Sequence, residues 1–192
     1  KTSITNMIDK FSLRSRQEGY LSRSVYKLLF LNKKYRIIKQ NDKVLDLGCY
    51  PGSWLQVVNQ LKAIGYGVDT KQIDNLPDVK FILGSVMNQN TVDKIKSLGK
   101  FDAVLSDLAP KTGHDKQMDE ERSFDLSMQA FKIAKEVLGY RGNFVCKIFQ
   151  GSQFSEFLNL VKKSFSFVKS TKPVASKKSS KEMYIVALGY KG

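Results

Sequence analysis

Five charged side chains stand where the residues around them are apolar. Asp46 falls near the end of the run KVLDL (Lys43–Leu47), Asp107 closes FDAVLSD (Phe101–Asp107), and Lys147 lies late in NFVCKIF (Asn143–Phe149). Glu182 immediately precedes MYIVALG, and Lys27 sits inside SVYKLLFLNKKY (Ser24–Tyr35). A lysine within an apolar strand costs free energy unless it is paired or functional. One reading is a buried lysine–carboxylate pair that only holds strands together. The other is a site where two lysines and two acids converge to hold charge and handle protons. The second gains weight if a ligand loop lies beside them.

Such a loop is present in KVLDLGCYPGSW, Lys43–Trp54, a strand entering a glycine-bearing turn before a helix. A dinucleotide fingerprint beginning at Gly48 requires glycines at 50 and 53, so that backbone can approach a pyrophosphate. Tyr50 and Ser53 occupy those places, and no G-x-x-x-x-G-K-S/T loop occurs, so pyrophosphate ligands and a nicotinamide oxidoreductase are disfavoured. Asp69 nevertheless ends the next strand, GYGVD, where a carboxylate accepts hydrogen bonds from ribose hydroxyls. A ribose-binding acid without a phosphate loop suits a nucleoside that lacks phosphates, and S-adenosylmethionine is the common one. The plainer alternative is that Asp69 caps a turn which Gly48 and Gly52 permit.

The elements that must bring these residues together follow from the alternation of apolar runs. KVLDL, GYGVD, VKFILG, FDAVLSD and NFVCKIF read as strands. Helical patterns fall between them at WLQVVNQLK, near Thr91–Ser97, over Glu121–Val137 and near Phe154–Lys163. Ser24 starts a helix whose apolar stripe is Val25, Leu28, Leu29 and Leu31. Strands alternating with helices predict a doubly wound α/β fold with a mostly parallel sheet. Two final strands near Phe165–Thr171 and Met183–Leu188 have no helix between them and predict a closing antiparallel hairpin. Ligands bind at the carboxyl ends of parallel strands. Because the last strand runs backwards, its start lies on that same edge, which gathers Asp107, Lys147 and Glu182 beside the glycine loop. Lys27 can cover the edge from its helix.

Charge divides the 192 residues into three parts. The net value is +14; residues 1–43 hold 11 Lys/Arg against 3 Asp/Glu, residues 162–192 hold 8 against 1, and the centre is nearly neutral at 13 against 14. Two basic ends on a neutral body suit a polyanion such as RNA. No apolar run reaches the ~20 residues that span a bilayer, and no charged-then-apolar leader opens the chain. Two cysteines, Cys49 and Cys146, are too few for a disulfide scaffold and read as space-filling residues in a reducing cytoplasm. His114, the only histidine, has no Cys/His companions, so no metal is expected. Asp119–Glu121 reads as the charged first turn of the following helix.

In order along the chain, RSVYKL (Arg23–Leu28), DLGCYPGSW (Asp46–Trp54), SDLAP (Ser106–Pro110), KIFQG (Lys147–Gly151) and KPVASKKSSKEMYIV (Lys172–Val186) resemble the FtsJ-like family of S-adenosylmethionine-dependent RNA 2′-O-ribose methyltransferases. The resemblance implies a Rossmann-like class I methyltransferase fold in one domain, 1–192, with a basic amino-terminal region to about 42 and the core beyond it. It carries the family's Lys-Asp-Lys-Glu tetrad onto Lys27, Asp107, Lys147 and Glu182, and cofactor contacts onto Gly48, Gly52, Trp54, Asp69, Ser85 and Asp107. At Ser85 the chain departs from the family, where an aspartate meets the adenine amino group; a hydroxyl keeps one acceptor and lacks the charge.

The chemistry implied is transfer of a sulfonium methyl to a ribose 2′-oxygen, with Lys147 as the candidate base, favoured in its neutral form by burial and by Lys27. Asp107 would orient Lys147 and balance the donor, and Glu182 would position the hydroxyl or Lys27. Arg14, Arg16 and Arg23 at one end, and Lys172, Lys177, Lys178 and Lys181 at the other, would contact phosphates. Tyr20 and Tyr26 could stack on bases but suit packing equally. The expected partner is a uridine of large-subunit ribosomal RNA or the subunit itself, met by a monomer. Methylation of a tRNA anticodon loop, and a non-catalytic RNA-binding role in ribosome assembly, remain the alternatives.

Overall fold

The computed structural model describes residues 10–110, 113, 115–176 and 180–192. Its seven strands are β1 Lys43–Leu47, β2 Ile64–Asp69, β3 Val79–Leu83, β4 Phe101–Ser106, β5 Leu138–Phe149, β6 Phe165–Thr171 and β7 Glu182–Tyr190. They form one sheet in the order β3-β2-β1-β4-β5-β7-β6. The first five are parallel because a helix or long loop returns the chain between them; β7 runs antiparallel between β5 and β6. The strand order reverses between β1 and β4, which opens the crevice in which α/β sheets bind ligands.

Helices α1 Lys10–Gln17, α2 Val25–Tyr35, α3 Ser53–Gln60, α4 Gln89–Ser97, α5 Lys116–Val137 and α6 Phe154–Ser164 cover the two faces. Leu28, Leu31, Trp54 and Val57 of α2 and α3 pack with Val44, Leu105, Val145 and Val186 on one side. Ile95, Phe131 and Phe157 of α4, α5 and α6 pack with Leu45, Val104, Phe144 and Ile185 on the other. Neighbouring residues of each central strand thus serve opposite cores, which is why those strands are apolar throughout.

Two boundaries and one additional helix depart from the sequence expectation. Helix α5 starts five residues before Glu121, because the Asp115 side chain accepts the N–H groups of Gln117 and Met118 and caps the first turn. Strand β5 follows α5 without a loop and pairs Leu138 with Phe101. A register shift between Phe101 and Ala103, with Arg141 at φ 65°, accommodates the extra residues. Helix α1 is short and strongly polar; Ser15 is buried, Phe11 meets Tyr26 with 5.6 Å between ring centroids, and the Arg14 guanidinium lies 4.9 Å from the Tyr26 ring centroid. Ser24 does precede α2, but its hydroxyl meets that of Ser22 at 2.7 Å rather than capping the helix.

Candidate active site

The carboxyl ends of β4 and β5, the start of β7 and the first turn of α2 bring the four charged residues into one cluster. Lys147 Nζ lies 3.1 Å from Asp107 Oδ1, donates to the Asp107 carbonyl at 2.8 Å, and sits 3.9 Å from Glu182 Oε1. Lys27 Nζ donates to Glu182 Oε2 at 3.0 Å. Lys147 is 4% exposed and Lys27 is also buried, so both cations depend on these partners. Glu182 bridges the lysines, one carboxylate oxygen to each. The order Asp107–Lys147–Glu182–Lys27 is therefore a continuous chain of alternating charge.

Two further groups fix that chain. Tyr184 is fully buried and donates its hydroxyl to Asp107 Oδ1 at 2.5 Å, while its ring lies 5.5 Å from Lys27 Nζ. Burial pushes the Asp107 carboxyl up, but Lys147, Lys27 and the two hydrogen bonds outweigh it and hold the carboxyl below its ordinary range. Burial, then the charge and hydrogen bonding of Asp107, push the Tyr184 phenol well up, so it remains a donor. The end of β5 runs past its last pairing with β4, at Ser106–Cys146, and serines of α5 supply partners there. Ser127 Oγ donates to the Lys147 carbonyl at 3.0 Å, and Ser123 Oγ accepts the Phe149 N–H at 2.9 Å. The sequence reading misses Tyr184, Ser123 and Ser127. The spacing Glu182–Tyr184 is the usable signal, since residues two apart on a strand share a face.

The glycine loop adjoins this cluster through Leu108. Gly48 has φ +78° and Gly52 φ +112°, both in the left-handed region that favours glycine. Asp69 holds the loop closed, accepting the N–H groups of Tyr50 and Lys71 at 2.9 Å, one on each oxygen, and a carboxylate oxygen with one such bond can accept another. Asp46 is 1% exposed beneath the loop, and neither carboxylate oxygen has a partner among the described residues. Burial, then Asp107 and Asp69, push its carboxyl well up. Three acids around one loop, one of them unpaired, suit a ligand that brings positive charge. Ser85 follows β3, where its hydroxyl accepts the Met87 N–H at 3.2 Å. Trp54 is 2% exposed, with its indole N–H donated to the Ser24 carbonyl at 2.9 Å, so its side chain ties α3 to α2.

A Cβ added at Gly48 would lie 2.6 Å from Leu108 Cδ2 and 3.3 Å from the Leu108 Cα. Gly48→Ala is expected to cost about 1–3 kcal/mol from the left-handed backbone and the overlap together. Urea unfolding checks this, and an unchanged midpoint would mean that the loop relaxes freely.

The family model described as FtsJ-like methyltransferase matches residues 20–190. The chain belongs to this family. A ribosomal RNA large subunit methyltransferase E of Archaeoglobus fulgidus is 41% identical over 179 residues, 93% of this chain and 94% of that one. A crystal structure assigned as a ribosomal RNA methyltransferase of Plasmodium falciparum superposes with a TM-score of 0.81 at 35% identity, over 90% of this chain and all of the other. A Streptococcus mutans protein assigned as a methyltransferase, in complex with SAH, shares the fold at a TM-score of 0.54 and 15% identity, over 87% of this chain and 95% of that one.

In this FtsJ-like chain the candidate phosphate contacts fall into separate situations. Arg14 Nε is bonded to Glu18 at 2.7 Å, and Arg16 is exposed on the same short helix α1. Arg23 lies half-buried just before α2. Lys172 Nζ donates to the Ser180 carbonyl at 2.6 Å, and Lys181 is paired with Glu120 of α5. Lys177, Lys178 and His114 lie outside the described residues. Tyr20 and Tyr26 pack edge to face at 6.1 Å, and Tyr26 is buried, its phenol pushed up to about 12 by burial and the Glu18 hydrogen bond. Burial raises both cysteine thiols, Cys146 to about 12, so neither is poised as a nucleophile. Among the described residues, no helix is long and apolar enough to cross a membrane.

Proposed function

We propose that the chain transfers a methyl group from S-adenosylmethionine to a ribose 2′-hydroxyl of RNA, at a uridine of the large-subunit ribosomal RNA, in the cytoplasm. The observation that carries this is the Asp107–Lys147–Glu182–Lys27 chain of ion pairs beside a loop ringed by carboxylates. The residues present fit such a donor. Asp69 can accept from the ribose hydroxyls, Gly48 and Gly52 let backbone approach, and the ionised Asp107 offsets positive charge. The donor, when bound, supplies a methyl already activated on a sulfonium.

The chain's part is to place and deprotonate the acceptor. Lys147, held from Asp107 and from the α5 serines, aims one fixed nitrogen at the crevice and takes the 2′-hydroxyl proton as the oxygen attacks. It must be neutral at that moment. Asp107 and the Tyr184 hydroxyl set its direction, and Glu182 keeps Lys27 where it can meet the ribose or the adjoining phosphate. Fixing the acceptor in line contributes separately from the proton transfer. The relative named for large-subunit ribosomal RNA supports that substrate.

The test uses methyl-labelled S-adenosylmethionine with large ribosomal subunits from cells lacking the protein, beside total tRNA. Label recovered as 2′-O-methyluridine from the ribosomal RNA is the expected result. Label in tRNA alone would move the substrate to the anticodon loop. A protein that binds no donor would sink the enzymatic reading.

A further inference from the structure

Strand β6 leaves one face open. Its inner face, at Val168, packs towards the core under α6. On the other face, Thr171, Lys169 and Phe167 lie opposite Tyr184, Val186 and Leu188 of β7, and cross-strand partners share a face. This row starts beside the buried Tyr184, whose hydroxyl donates to Asp107 of the tetrad, and ends about 14 Å away, at four strand residues of rise. Phe167 is 45% exposed, although its ring lies 6.3 Å from that of Tyr35, the last residue of α2. Lys34 Nζ stands 5.3 Å from the Tyr35 ring centroid. Past Phe167 the surface falls into a groove of about 380 Å³ bounded by Tyr140, Arg141 and Lys191.

The charges along this row have one sign. Neither VYKLLFLNKKY of α2 nor FSFVKST of β6 contains an acidic residue, whereas Lys33, Lys34, Arg36 and Lys169 are exposed on or next to them. Lys27, the one buried cation of α2, belongs to the tetrad at the helix's other end. Exposed aromatic faces between solvated cations suit unpaired nucleotides, whose bases stack while their phosphates meet lysine and arginine. A duplex would offer phosphates to the cations but no base face to Phe167.

Resting on the reading of RNA as the substrate, we propose that the α2–β6 face carries the single-stranded RNA flanking the target nucleotide, with Phe167 as the stacking platform and Lys34 and Lys169 as phosphate contacts. The track leads from the tetrad along β6 to the groove at Tyr140. It places the flanking nucleotides on the rigid sheet, so that their binding also fixes the ribose presented to Lys147.

The test is fluorescence anisotropy with a labelled single-stranded oligoribonucleotide and a duplex of the same sequence, for wild type, Phe167→Ala, Phe167→Trp and Lys169→Gln, with donor binding measured for each as evidence of folding. Phe167→Ala is expected to bind the single strand about tenfold more weakly and the duplex nearly as wild type does. Phe167→Trp should bind as wild type does, with its emission quenched by RNA. Lys169→Gln should lower the salt slope by about 0.7 for one lost phosphate contact on a single strand. Wild-type affinity for the single strand in Phe167→Ala, or an equal loss on the duplex, overturns the track. If wild type meanwhile methylates RNA, the proposed reaction stands without it; if wild type neither binds nor methylates RNA, both fall.

Discussion

Lys147→Ala is expected to lower kcat for methyl transfer about a thousandfold, the range of a removed general base, with donor binding near wild type. The side chain is buried with its nitrogen 3.1 Å from Asp107 and 3.9 Å from Glu182, so no neighbouring lysine takes its place; Lys27 is held on the far oxygen of Glu182. The carboxylates and loop assigned to the donor are untouched. Single-turnover measurement with saturating RNA reads the chemical step directly. Lys147→Arg decides how the lysine acts. Arginine keeps the charge and the pairing but does not give up its proton in proteins. If Lys147→Arg is as inactive as Lys147→Ala, the lysine's ability to be neutral is the essential property. If Lys147→Arg retains most activity, the nitrogen works by charge and orientation, and the proton leaves to solvent. Activity in both variants would remove Lys147 from the mechanism.

What the sequence discloses of this site depends on how local each cause is. The five parallel strands are apolar runs, mostly separated by helical patterns, and that alternation implies a parallel sheet without giving its order; β2 and β3 are joined by a loop and no helix. The convergence of Asp107, Lys147 and Glu182 follows from strand direction, since β7 runs backwards and presents its first residue beside the others' last. The unpaired state of Asp46 is not legible, because it depends on what the folded loop leaves around it. Tyr184 hides for a different reason: a tyrosine in an apolar strand reads as core, and only the approach of Asp107 from 77 residues away gives its hydroxyl a role. The same distance effect separates the basic residues. Lys181 reads as a free cation until Glu120 of α5 is found against it, 61 residues away in sequence. Phe167 reads as an ordinary strand residue until the sheet order makes β6 an edge with one uncovered face.

Asp107→Ala is the variant expected to lose most stability, about 3 kcal/mol at neutral pH. Removing one partner of a buried ion pair typically costs ~3–5 kcal/mol, and Glu182 at 3.9 Å still offers Lys147 partial compensation, which sets the lower end. The Tyr184 hydroxyl loses its acceptor in the same step, and a fully buried phenol cannot recover it from water. The loss should depend on pH in a defined direction. In the folded protein the Asp107 carboxyl titrates below its ordinary value, so its contribution is complete above about pH 4, the unfolded value, and disappears as pH falls through the folded one. The gap between wild type and Asp107→Ala should therefore be widest at neutral pH and close under acid. Asp46 pulls the other way, since its raised carboxyl favours the protonated fold and its contribution fades as pH rises. Burial, the largest cause of that shift, is common to both proteins and cancels from the difference, whereas the smaller repulsion from Asp107 is relieved in Asp107→Ala and narrows the gap slightly as Asp46 ionises. Urea unfolding of the two proteins across the acid range supplies the measurement. A gap below about 1 kcal/mol at neutral pH, the size of an exposed pair, would show that the lysine is adequately served by Glu182 alone. A gap that stays constant down to strong acid would assign the loss to packing and to the Tyr184 hydrogen bond rather than to the carboxylate's charge.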